Sequence, residues 1–214
     1  SFVHTPESPC LEPILSILQK CRKQRSTANA RSIYTYMQEN GLETHKVLGN
    51  HLIPVLVECG SLPEAEDIFN RMNGCRNEHS WTCLIGEYAR HGNLSHAFEL
   101  YHQMQDEGVY PSNFTFVSLL KHVASGREIH FEICIKEFEN DIFVGNSLID
   151  MYTKCGCLLE AQEVFNTLLV RDVVSWNTLI AGYAECGDHE EALNHFDMMR
   201  LEGFSQDVVT YICV

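Results

Sequence analysis

The sequence predicts an all-α chain folded as a solenoid of helix-turn-helix repeats, and three observations carry that prediction. The first is an echo at 95 residues: Ser80-Trp81 with Leu84, Ile85, Tyr88, Ala89 and Gly92 returns as Ser175-Trp176 with Leu179, Ile180, Tyr183, Ala184 and Gly187. It continues through Ala97/Ala192, Met104/Met199, Glu107/Glu202 and Gly108/Gly203. The second is an echo at 96 residues, in which Gly49-Asn50, Leu52-Ile53, Cys59-Gly60, Ala65 and Phe69 return as Gly145-Asn146, Leu148-Ile149, Cys155-Gly156, Ala161 and Phe165. The third is periodicity, because Trp176, Leu179, Ile180, Tyr183 and Ala184 have the i, i+3, i+4, i+7, i+8 spacing of one helix face. Units that stack on copies of themselves bury a core none could bury alone. Such an array binds along a surface and rarely has one catalytic pocket.

The clearest unit, residues 173–207, justifies each element in turn. The face led by Trp176 marks a first helix, and Cys186-Gly187-Asp188 ends it, since Gly takes the left-handed C-cap conformation readily. A second helix follows with Ala192, Phe196 and Met199 on its apolar side. Glu190 and Glu191 open it and Arg200 stands near its end, as the helix dipole favours, before Gly203 stops it. Aligned on these marks, the chain divides into a flank at 1–10 and units at 11–45, 46–77, 78–112, 113–141, 142–172 and 173–207, with a seventh begun at 208–214. Three unit types recur in the same order, so the true period is a triplet.

Composition narrows the function classes. No apolar run approaches the roughly 20 residues that span a bilayer, so no membrane partner is expected. Ten cysteines include no C-x-x-C pair, which argues against zinc or thioredoxin-like chemistry, and no cofactor is expected. A net charge of −14 argues against binding polyanions with the whole surface but leaves room for a local basic stripe.

A unit of this size with Ser175-Trp176-Asn177-Thr178-Leu179-Ile180-Ala181-Gly182-Tyr183 in its first helix resembles the pentatricopeptide repeat, and the alternation resembles its plant PLS subclass. Thr115-Phe116-Val117-Ser118-Leu119-Leu120-Lys121 with Gly126-Arg127-Glu128-Ile129-His130 looks like the L motif. The stretch from Asp141 through Asn146 to Cys155-Gly156 looks like the S motif, and that from Asp172 to Tyr183 looks like the P motif. The resemblance covers roughly residues 11–214, and it implies a right-handed superhelical solenoid. The tetratricopeptide repeat is the nearest competitor, but its W-x-x-L-G start is absent. Six residues of the first L unit, around Lys23 to Ala28, lack equivalents near Ala124-Ser125, so a loop is expected to be missing from the second.

The resemblance implies that first helices line a groove holding single-stranded RNA, one base per unit, a rule that comes with the family. The fifth and last residues of a unit would read the base edge, and the second would pack on its face. The implied reading pairs are Leu15/His45, Asn50/Asn77, Thr82/Ser112, Val117/Asp141, Asn146/Asp172 and Asn177/Asp207. By the family's code the site is any-C-purine-any-U-U, with Leu15 and Val117 too apolar to select. Val47, His79, Phe114, Phe143 and Val174 would be the base-packing residues, with Glu12 an outlier that suggests a first unit without RNA. Lys23, Arg90 and Lys154, at the thirteenth position, could touch phosphates, whereas Glu58 and Glu185 could not. Plainer roles compete: Asp172 and Asp207 as helix N-caps, Asn146 and Asn177 on a solvated face, Phe114 and Phe143 between helices, the cations as ordinary surface charges.

The chain is expected to be no enzyme. His130-Phe131-Glu132 and His189-Glu190-Glu191 fit H-x-E, but the deaminase chemistry of some PLS proteins also needs P-C-x-x-C. The reading is therefore a sequence-selective RNA adaptor in a mitochondrion or chloroplast, directing C-to-U editing, with its targeting segment and further units outside this chain. The alternative is a protein-interaction scaffold, or an adaptor in splicing, processing or stabilisation; editing or splicing cofactor proteins would be partners. Val208, Val209, Tyr211 and Ile212 of the interrupted unit lack a covering helix, so a homodimer through that end is also expected.

Overall fold

The structure, a computed structural model, describes residues 11–121, 126–205 and 210. Among the described residues there are twelve α-helices and no strand. They are α1 (Leu11–Gln24), α2 (Thr27–Glu39), α3 (Lys46–Glu58), α4 (Leu62–Arg71), α5 (Glu78–Arg90) and α6 (Leu94–Asp106), then α7 (Asn113–Leu120), α8 (Arg127–Ile135), α9 (Ile142–Lys154), α10 (Leu158–Thr167), α11 (Val173–Glu185) and α12 (His189–Leu201). None is long and apolar enough to cross a membrane.

Local sequence sets the helix ends. Gly187 follows α11 at φ +85°, donating to the Ala184 carbonyl, while the Asp188 N–H reaches back to Tyr183. A residue with a β-carbon is strained in that conformation, so the Cys-Gly step stops the helix and turns the chain into α12. Several starts are capped by side chains. Asp172 accepts from the Ser175 N–H at 2.8 Å, and Asp141 accepts from the N–H groups of Phe143 and Val144. These bonds satisfy donors that a helix cannot satisfy internally.

The described chain forms two compact units, the first running up to Glu87 and including Glu99–Tyr110. There α1 packs on α2 and α3, and α3 packs on α4. Leu18, Leu48, Leu52, Ile53, Leu56 and Ile68 are buried with Phe69, whose ring meets Trp81 edge-on at 4.5 Å. The second unit takes Tyr88–Phe98 and the chain from Pro111 onward. Here α7, α9 and α11 stack side by side, with α8, α10 and α12 packed against their partners. Trp176, Leu179 and Ile180 are fully buried, so the periodic face read from the sequence is the core face.

An arginine closes the pair of helices ahead of each tryptophan. Arg76 donates through Nε to the Phe69 carbonyl and lies over the Phe69 ring, and its Nη1 meets Glu107 at 2.6 Å. Arg171 does the same with the Phe165 carbonyl and ring, and stands 3.8 Å from Glu202. Helix α1 has 14 residues and its counterpart α7 has 8. The expected missing loop near Ala124 lies outside the described residues, as do Asp207, Val208, Val209, Tyr211 and Ile212.

Candidate functional site

The second and fifth residues of a helix lie three apart, hence on one face. The five implied base-packing residues, Val47, His79, Phe114, Phe143 and Val174, are exposed. Phe114 and Phe143 are 70% and 68% accessible, so neither is packed between helices. Partial desolvation holds the His79 imidazole below its ordinary value, and the nearby Arg22 guanidinium lowers it further.

The fifth residues sit deeper. Asn50, Thr82 and Asn177 are buried, whereas Leu15, Val117 and Asn146 are half-buried. The Thr82 hydroxyl donates to Glu78 at 2.8 Å. Asn146 donates to Asp172 at 3.4 Å, joining one implied reading pair directly. Asn50 and Asn77 are joined as well, since the Asn77 N–H donates to the Asn50 side-chain carbonyl at 2.9 Å. Thr82 and Ser112 belong to different compact units, and Asp207, partner of Asn177, lies outside the described residues.

Last residues double as caps. His45, Asn77, Asp141 and Asp172 each accept a backbone N–H from the helix that follows, and the Ser112 N–H donates to the Thr115 hydroxyl at 3.1 Å. A cap uses only part of a carboxylate's acceptor capacity, so capping and ligand contact are compatible.

Between α9 and α11 runs a groove of about 410 Å³, lined by Asp150, Thr153, Lys154, Val174, Asn177 and Gly182 among others. It brings together an exposed apolar second residue, an amide fifth residue and the thirteenth-position cation of the preceding helix. Lys154 holds Asp150 at 2.7 Å across one turn, so a ligand phosphate would compete with that carboxylate. The comparable groove between α1 and α3, lined by Leu15, Arg22, His51 and His79, measures only about 40 Å³. Lys23 and Arg90 are exposed at the ends of α1 and α5. Glu58, at the same position of α3, is paired with Arg22, which offsets its charge.

Sequence reasoning gave no role to the third residue of each first helix. Ser80, Thr115, Ser175 and Thr210 are completely buried there. Ser80 donates to the Asn50 side-chain carbonyl at 2.7 Å and Thr210 donates to that of Asn177 at 2.7 Å, so these hydroxyls face the fifth residue of the unit before. The signal was available, because Ser80 and Ser175 open the 95-residue echo. Burial pushes the Cys83 thiol up to about 12, which removes it as a nucleophile at neutral pH.

Models of the PPR repeat family match residues 76–125 and 171–214, and a PPR repeat model matches 146–173, together more than half of the chain. A putative pentatricopeptide repeat-containing protein of Arabidopsis thaliana is 34% identical over 194 residues, covering 87% of this chain and 28% of that protein. Another from the same plant, named as mitochondrial, is 33% identical over 202 residues, covering 92% of this chain and 32% of that protein. The chain thus spans a third or less of the length of these relatives. Among solved structures, the pentatricopeptide repeat protein PPR10 in complex with an 18-nt psaJ RNA element superposes with a TM-score of 0.70 at 22% identity, over 94% of this chain and 31% of that one. The structure of PPR10 from maize gives a TM-score of 0.65 at 21% identity, over 98% and 36%. The fold is accordingly that of an all-α helical-repeat solenoid.

Proposed function

We propose, from the premise that the chain belongs to the pentatricopeptide repeat family, that it binds single-stranded RNA with base selectivity along the first helices of its units. The observation that carries this reading is the groove between α9 and α11, which combines the apolar face of Val174, the amide of Asn177 and the cation of Lys154. An unpaired nucleotide offers a flat face, a hydrogen-bonding edge and a phosphate, and those three side chains answer each in turn. Phe143 and Phe114, exposed at the same helix position, extend the stacking surface in the units before.

The chain would act as the recognition part of an organellar factor of the PLS subclass, directing C-to-U editing of a transcript. The plant relatives, some named as mitochondrial, support the organellar setting. The narrowness of the groove beside Leu15 supports a first unit that does not engage RNA. With a net charge of −14, affinity from this piece alone is weak and falls with salt.

A titration of a labelled ten-nucleotide RNA carrying the pattern, against a duplex of the same sequence, tests the reading. Binding confined to the single strand is expected, weakened by Phe143→Ala. Equal binding to the duplex, or none to either at low salt, would remove it.

A further inference from the structure

We infer that Asn50 is a lock at the junction of two units and reads no base, and that Asn77, acting through Ser80, is what locks it. The inference rests on the RNA reading proposed above and refines which units select. An asparagine side chain has two N–H donors and one oxygen with two acceptor sites. At Asn50 all four are used inside the protein. Nδ2 donates to the carbonyls of Lys46 at 2.6 Å and Cys75 at 2.8 Å. Oδ1 accepts from the Asn77 N–H at 2.9 Å and the Ser80 hydroxyl at 2.7 Å. The residue is 5% exposed. A base could bond to it only by breaking one of these contacts and leaving a buried partner unsatisfied.

The equivalent Asn146 is in the opposite condition. Its Nδ2 makes one long bond, 3.4 Å to Asp172, and its Oδ1 is buried with no hydrogen-bond partner among the described residues. The caps of the two units differ. Asp172 has a carboxylate, and its Oδ1 takes both the N–H and the hydroxyl of Ser175, at 2.8 and 3.0 Å. Asn77 has an amide whose Oδ1 takes the Ser80 N–H at 2.9 Å. The Ser80 hydroxyl turns instead to Asn50. In these two units the buried hydroxyl three residues past the cap thus separates the asparagines: Ser80 occupies Asn50, whereas Ser175 turns to Asp172 and leaves Asn146 capacity for a ligand. The site becomes any-any-purine-any-U-U, one base less selective than the residue pairs alone imply.

Four RNAs differing only in the base opposite Asn50 test this, read as dissociation constants. The wild-type chain is expected to bind all four within about twofold, and both Asn77→Asp and Ser80→Ala to introduce a preference of roughly five- to tenfold. A wild-type preference of that size for cytosine, or indifference retained in both variants, would overturn the lock. Thermal unfolding without RNA supplies an independent arm. Asn50→Ala is expected to lower Tm by about 5 °C or more and Asn146→Ala by less than about 2 °C. Equal effects would overturn the lock even if no RNA bound. A clear difference in melting with no RNA binding would instead sink the function and leave the lock standing.

Discussion

Arg76 lies over the Phe69 ring, its guanidinium carbon 4.4 Å from the ring centroid, with the Trp81 ring at 5.3 Å from the same cation. Its side chain is 9% exposed, and Glu107 completes the enclosure. A buried cation with stacking, carbonyl and carboxylate partners leaves each of them unmatched when it is removed. Arg76→Ala is expected to cost about 2–4 kcal/mol in denaturant unfolding, with Arg76→Lys recovering less than half because an ammonium cannot serve the planar contacts. A lysine variant as stable as wild type would show that charge alone suffices.

Gly182 of α11 faces Thr153 of α9 at close range. A β-carbon there would stand 2.5 Å from Thr153 Cβ and 3.1 Å from its hydroxyl, and Thr153 is itself buried. Gly182→Ala should destabilise by about 1–3 kcal/mol, seen as a lower Tm. Adding Thr153→Ala should not restore it, because the clashing Cβ remains, whereas Thr153→Gly should relieve the clash. Full recovery with alanine would mean that the methyl or hydroxyl, and not backbone spacing, sets the contact.

His130 shares a 2.8 Å hydrogen bond through Nδ1 with the Tyr152 hydroxyl, and burial holds its imidazole below the ordinary value. The unfolded chain therefore takes up this proton at higher pH than the folded one. The stability linked to the neutral ring is fully present above the unfolded pKa, near 6.5, and is lost as pH falls from there through the folded value. The midpoint of urea unfolding should drop between pH 7.5 and 5.5, and drop less in His130→Phe. An unchanged pH dependence in that variant would exclude His130 as a source of acid sensitivity.

Much of this architecture could be read before any coordinates. Helix faces were legible because burial follows a 3.6-residue period, as Trp176, Leu179 and Ile180 display. Helix ends were legible at Cys-Gly steps because only glycine accepts φ near +85° cheaply. The arginine clamps escaped notice even though Glu107 and Glu202 were part of the echo, since a surface-type ion pair and a buried one look alike in a sequence. The state of Asn50 was illegible for a stronger reason. Asn50 and Asn146 recur at 96 residues within the same Gly-Asn pair. What separates them is the direction of one buried hydroxyl, which no spacing encodes.

From residue 142 onward, Asn146 has capacity to spare, and Val174, Asn177 and Lys154 share a groove. The most direct measurement is the dissociation constant of this chain for an RNA ending in the two uracils, compared with the same RNA ending in two adenines. We expect a loss of roughly tenfold or more on that exchange, abolished when Asn146→Thr and Asn177→Thr are combined. Equal affinity of the wild-type chain for the two RNAs would contradict base selectivity along these helices.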